Sequence, residues 1–198
     1  YGNRVGAWRM LDAFEDLSLP TTVLLNATIL DHCPDLADAF ARRGDEIAGH
    51  GRTNAERQSI LPEDGERALI VEATERLEAH FGKRPAGWLG PWIAQSEVTP
   101  DLLREAGYTY LLDWCHDDRP TWFATRAGPI LSVPYPQEIN DIPAIAVRRA
   151  GAAEFADMIV DQFDEMLEQA ESGPLVMGIA LHAYIVGQPF RLRHLKRA

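Results

Sequence analysis

The sequence predicts an α/β fold with parallel strands, and three observations carry that prediction. Short apolar, β-rich segments alternate along the 198 residues with longer amphipathic ones, the pattern of strands joined by helical crossovers. Hydrophobic residues at 46% and charged residues at 25% are ordinary globular values. The length suits one large domain with a sizeable core. Six strands with helices between them fit an incomplete (β/α) barrel or a doubly wound open sheet, and periodicity leaves both open.

The elements follow in order. Arg4–Leu17 reads as a helix because Val5, Trp8, Leu11 and Phe14 recur at helical spacing. Thr22–Leu25 is the first strand, Pro34–Arg43 a helix stopped by Gly44, and Glu46–Gly49 the second strand. Asp64–Phe81 carries Leu69, Ala73, Leu77 and Phe81 on one helical face. Ala86–Leu89 is a strand. Thr99–Ala106 is a helix with Thr99 as N-cap, Pro100 in its first turn and Gly107 as its stop. Tyr108–Leu112 and Ile130–Val133 are strands, with His116–Pro129 between them read as a surface loop. Gly151–Ala170 repeats Phe155, Ile159, Phe163, Met166 and Leu167 at helical spacing. Leu175–Leu181 is the last and most apolar strand, and Pro189–Ala198 begins another helix.

Composition excludes some functions. Nineteen Lys+Arg against 30 Asp+Glu give a net charge of −11, which argues against nucleic acid, whose phosphates need clustered cations. No apolar run reaches the length of a membrane span, since Pro174 to Leu181 is far too short. No signal peptide is visible. Two cysteines, Cys33 and Cys115, give no disulfide framework, and the simplest setting is a reducing, cytoplasmic one. The chain starts at Tyr1 rather than Met and stops at Ala198 inside a helical pattern. The expectation is a single domain over residues 1–198, truncated at both ends.

Active sites of βα folds form beyond the carboxyl ends of the strands. Asn26 follows the first strand there, and His50, Gly51, Arg52, Thr53 and Asn54 follow the second. Gly90, Pro91 and Trp92 follow the third, Asp113 and Trp114 the fourth. Pro134 and Tyr135 follow the next, with Glu138, Asn140 and Asp141 close behind, and His182 ends the last. Histidine titrates near neutral pH, so His50 and His182 are the acid–base candidates. Asp113 could orient one of them or cap the next segment. Trp88, Trp92, Trp114 and Trp122 read chiefly as core and rim packing. His32, His80 and His194 receive no role. The acidic run of Asp157, Asp161, Asp164, Glu165 and Glu168 is the wet face of a helix.

These residues resemble a known family. His50–Asn54 (HGRTN), Gly90–Trp92 (GPW), Leu112–Trp114 (LDW) and Ala180–His182 (ALH) are similar, in their order, to motifs of the polysaccharide deacetylase (NodB homology) superfamily. Tyr1–Arg9, Val133–Tyr135 with Asn140–Ile142, and Leu181–Pro189 resemble the branch of metal-independent allantoinases and cyclic-imide hydrolases. The resemblance implies a distorted (β/α) TIM-like barrel of about seven strands, incomplete in this chain, and hydrolysis of non-peptide C–N amide bonds. Metal-dependent members of the family use an early aspartate and two histidines, a carboxylate base, and a late histidine as acid toward the leaving nitrogen. Here the early aspartate motif is absent. Asn54 stands at the second metal histidine, and Leu89 stands where an arginine normally orients the base. His50 with Asn54 is a poor zinc set, since zinc takes about three N, S or carboxylate ligands.

The first reading is therefore a hydrolase of a small cyclic amide or imide such as allantoin. His50, or a carboxylate outside this chain, would activate water; Asp113 would tune a histidine; His182 would be the general acid. Trp92, Trp114 and Tyr135 would wall the pocket, and Arg52 and Asn140 would read the ring's amide groups. The partner is a small-molecule amide, with neither nucleic acid nor membrane, and a homo-oligomer is left open. The alternatives are an N-deacetylase of an amino sugar or polysaccharide, which would bind a divalent metal, and a non-catalytic ligand-binding relative.

Overall fold

A computed structural model describes all 198 residues and divides them into two compact units. The first comprises Pro20–Trp114 and Pro120–Val133; the second comprises Tyr1–Leu19, Cys115–Arg119 and Pro134–Ala198.

The first unit holds the sheet. Its strands are β1 (Thr22–Leu25), β2 (Glu46–Gly49), β3 (Gly87–Trp88), β4 (Tyr110–Leu111), β5 (Thr121–Phe123) and β6 (Ile130–Ser132), in the order β1-β2-β3-β4-β6-β5. All pairings are parallel except β5 with β6. The α/β class and the distorted barrel are found, with an open sheet edged by β1 and β5. β5 falls inside the segment expected to be a loop. It is an antiparallel hairpin partner, and Gly128 at φ 99° turns the chain back toward β6.

The unit's helices are α1 (Ile29–His32), α2 (Pro34–Arg43), α3 (Glu63–Phe81) and α4 (Thr99–Glu105). In α3, Glu66, Leu69, Ile70, Ala73, Thr74 and Leu77 are buried, the i, i+3, i+4 stripe that seats a helix on a sheet. Leu69, Ile70, Leu102, Leu103, Leu111 and Ile130 form the core with Trp88 and Tyr108, whose rings meet edge to face at 5.4 Å. Burying each such aliphatic side chain contributes about 1.5–3 kcal/mol.

The second unit is helical. A π-helical turn (Gly2–Gly6) leads into α5 (Ala7–Asp16), and a second π turn (Ile142–Val147) precedes α6 (Ala152–Gln169) and α7 (Pro189–Leu195). Glu154 accepts the Gly151 N–H at 3.0 Å and caps α6. Phe155, Ile159, Met10, Ile145, Ile185 and Val186 form its core. Phe163 and Leu167, which share the expected apolar repeat, are 54% and 61% exposed. Leu175–Leu181 is not a strand. It contributes one parallel bridge, Ala180 to Asn140, and the facing Pro134 and Pro136 have no N–H with which to extend a ladder. No helix is long and apolar enough to cross a membrane.

Candidate active site

In the first unit the polar residues gather where β2, β3 and β4 end. His50 is half-buried, with Nδ1 2.6 Å from the Leu89 carbonyl. A carbonyl only accepts, so Nδ1 carries the proton and the lone pair of the neutral ring lies on Nε2. Asn26 ties the loop down. Its Nδ2 donates to the His50 carbonyl and, at 3.1 Å, to Asn54 Oδ1. Trp92 is exposed, and its indole N–H donates to the Asn54 carbonyl at 2.6 Å. Trp92 and Ile93 have φ of 65° and 52°, a left-handed backbone that is costly for bulky and β-branched residues.

Asp113 is fully enclosed. Oδ1 accepts the Gly90 N–H at 2.7 Å, while Oδ2 has no partner. Burial pushes its carboxyl up to about 7, the Gly90 bond opposes this, and Glu66 adds to it. Glu66, itself buried, accepts from Gln58 at 2.9 Å, from Ser96 at 2.6 Å and from Thr99. Trp88 donates to Gln58 at 3.2 Å.

In the second unit His182 Nδ1 lies 2.6 Å from Asp141 Oδ1, and the His182 backbone N–H donates to Asp141 Oδ2 at 2.7 Å. Asp141 is fully buried, and its own N–H donates to Ala180. The carboxylate fixes the proton on Nδ1 and presents Nε2. Tyr184 packs its ring edge-on to His182 at 6.0 Å. Burial, then the Asp141 charge, hold its phenol protonated.

Several expected roles change. Asp113 hydrogen-bonds to neither histidine; it pins the Gly90 turn, and the carboxylate that orients His182 is Asp141. The signal was present in Asn140–Ile142, but spacing could not pair residues 41 positions apart. Arg52 does not present its donors to a ligand: it is bonded to Glu56 at 2.5 and 3.1 Å and to Glu72 at 2.8 Å. Asn140 is buried, with Oδ1 accepting the Ile142 N–H at 3.0 Å. Trp114 packs against Phe123, ring centroids 5.5 Å apart. Tyr135 lines an open concavity of about 260 Å³ with Cys115, His116 and Glu138.

His50 and Asn54, the pair a metal would need, do not fit zinc. Asn54 supplies a carboxamide whose oxygen already accepts from Asn26, and no three His, Cys, Asp or Glu residues converge as metal ligands.

Comparison with known proteins finds relatives of the chain. Residues 1–111 match the sequence profile of the family described as polysaccharide deacetylase. The crystal structure of Puue Allantoinase superposes with a TM-score of 0.91 at 30% identity, covering all of this chain and 66% of that one. A "probable Polysaccharide deacetylase" from Pseudomonas aeruginosa PAO1 gives 0.91 at 31%, again over all of this chain and 66% of that one. A peptidoglycan deacetylase of Helicobacter pylori (strain ATCC 700392 / 26695) is 23% identical over 141 residues, 71% of this chain and 48% of that protein. The chain thus spans about half to two thirds of the length of these relatives.

Proposed function

Because the chain belongs to the polysaccharide deacetylase family, we propose that it hydrolyses a non-peptide carbon–nitrogen bond in a small cyclic amide or imide. The His182–Asp141 pair carries this reading. A buried carboxylate that bonds both the ring and the backbone of one histidine holds that ring in place, and in the proposed role its Nε2–H is the acid. After water adds to the carbonyl, that proton passes to the ring nitrogen as the C–N bond breaks. Ring opening gives one molecule that carries both the new carboxylate and the freed amine, amide or urea nitrogen. The base toward the attacking water is proposed, from motif order alone, to be His50 or a carboxylate outside this chain.

Similarity to an allantoinase over the whole chain supports the cyclic substrate. Similarity to a peptidoglycan deacetylase favours a second reading, removal of an N-acetyl group from an amino sugar. The two separate by assay of the full-length protein on allantoin and succinimide against N-acetylglucosamine oligomers. Turnover of the ring compounds alone is the expected result, and turnover of the oligomers alone would reverse the order. Turnover of neither class, with a ligand-dependent thermal shift, would replace both with a binding role.

Two substitutions test the mechanism. His182→Ala should abolish turnover while leaving the melting temperature near that of the parent. Asp141→Asn should lower kcat about 10²–10⁴-fold, the usual reach of general acid catalysis. Retained activity in His182→Ala would sink the proposed acid.

A further inference from the structure

We infer that Arg57, which lies over the Trp92 ring beside the His50 loop, reads a carboxylate on the substrate and so selects an anionic cyclic amide; this rests on the cyclic-amide reading above.

Three observations carry it. The first is place. The Arg57 guanidinium carbon lies 5.4 Å from the Trp92 ring centre. Trp92 donates to the Asn54 carbonyl, Asn54 Oδ1 accepts from Asn26, and Asn26 also donates to the His50 carbonyl. Arg57 therefore stands at the outer end of a continuous line of contacts to His50.

The second is charge. Arg57 is exposed and makes no ion pair. Its sequence neighbour Glu56 is bonded to Arg52, as is Glu72. Those two carboxylates are thus spent on Arg52, and Arg57 keeps its positive charge in a chain of −11. A guanidinium over an indole face gains cation–π attraction and still has in-plane N–H groups to offer, the fork that binds a carboxylate at two points.

The third is rigidity. Gln58, the next residue, is fully buried between Glu66 and Trp88. On the other side of the stack, Trp92 and Ile93 are held at positive φ. Strained backbone persists where its surroundings over-determine it, and it concentrates at binding sites. A surface arginine with neither anchor would lose more freedom on binding.

Hydantoin and hydantoin-5-acetic acid share a ring and differ by a carboxylate, so they isolate the effect. With the full-length protein, both turnover and calorimetric binding should favour the acid. Arg57→Gln should lower the ratio of kcat/KM for acid over neutral compound about ten-fold, through KM. It should raise the Kd of the acid by a similar factor relative to that of hydantoin, with Arg57→Lys between Gln and the parent. Raising salt should weaken binding of the acid more than that of hydantoin. An equal change for both compounds, or no preference in the parent protein, or binding of neither, would overturn the inference. Arg57-dependent binding of the acid without hydrolysis would keep the inference and remove the cyclic-amide reading. Hydrolysis of both without Arg57 dependence would do the reverse.

Discussion

Asp113, just past β4, has one carboxyl oxygen on the Gly90 N–H and the other unpartnered. Its pKa, raised to about 7 from 3.8, ties stability to pH. Below about pH 4 the carboxyl is protonated in folded and unfolded chains alike, and the full contribution is present. Between about 4 and 7 only the folded chain keeps the proton, so stability falls as pH rises through that window, by about 1.4 kcal/mol per unit. Asp113→Asn keeps an acceptor for Gly90 and removes the titration, so its urea midpoint should lose this slope. A parent-like slope in the variant would assign the effect elsewhere. Asp141 contrasts with it, since both of its oxygens are engaged by His182. Two aspartates near apolar segments looked alike in sequence. What separates them is the group that faces each oxygen.

At the scale of elements, the turn after β3 is the most constrained part of the first unit. A methyl group on Gly90 would lie 2.5 Å from Gln58 Oε1 and 2.7 Å from Asp113 Oδ1. Gly90→Ala should therefore destabilise the protein by about 1–3 kcal/mol, the cost of overpacking a dense interior, read from urea unfolding. A neutral effect would mean that the buried network yields easily. The elements legible in sequence were those with a strong local pattern. Thr22–Leu25, Glu46–Gly49 and Pro34–Arg43 end where apolar period and turn residues say. Thr121–Phe123 was missed because an exposed edge hairpin lacks an apolar run. Leu175–Leu181 misled because an apolar run does not make a strand when its neighbour is proline-rich.

For these 198 residues as a whole, the donors they supply limit the metal chemistry they can support by themselves. One imidazole and an occupied carboxamide do not hold zinc. The full-length protein should purify with substoichiometric zinc and keep its hydrolytic rate after chelator treatment, as metal analysis and a parallel assay would show. Stoichiometric zinc, lost together with activity, would return the metal-dependent deacetylase reading to first place.

The amino-acid sequence by itself determined the α/β class, most element positions and the family resemblance, and it singled out His50 and His182 as candidates. These rest on local periodicity and on motif order, which are properties of the chain read along its length. Only the tertiary structure decided that Asp141 rather than Asp113 orients His182, that Arg52 is tied up by two glutamates while Arg57 is not, and that Glu66, on a charged helix, is buried. Each of these depends on which distant groups meet. Partners such as Asp141 and His182, or Glu66 and Thr99, are set by folding across tens of residues, and no local spacing encodes them.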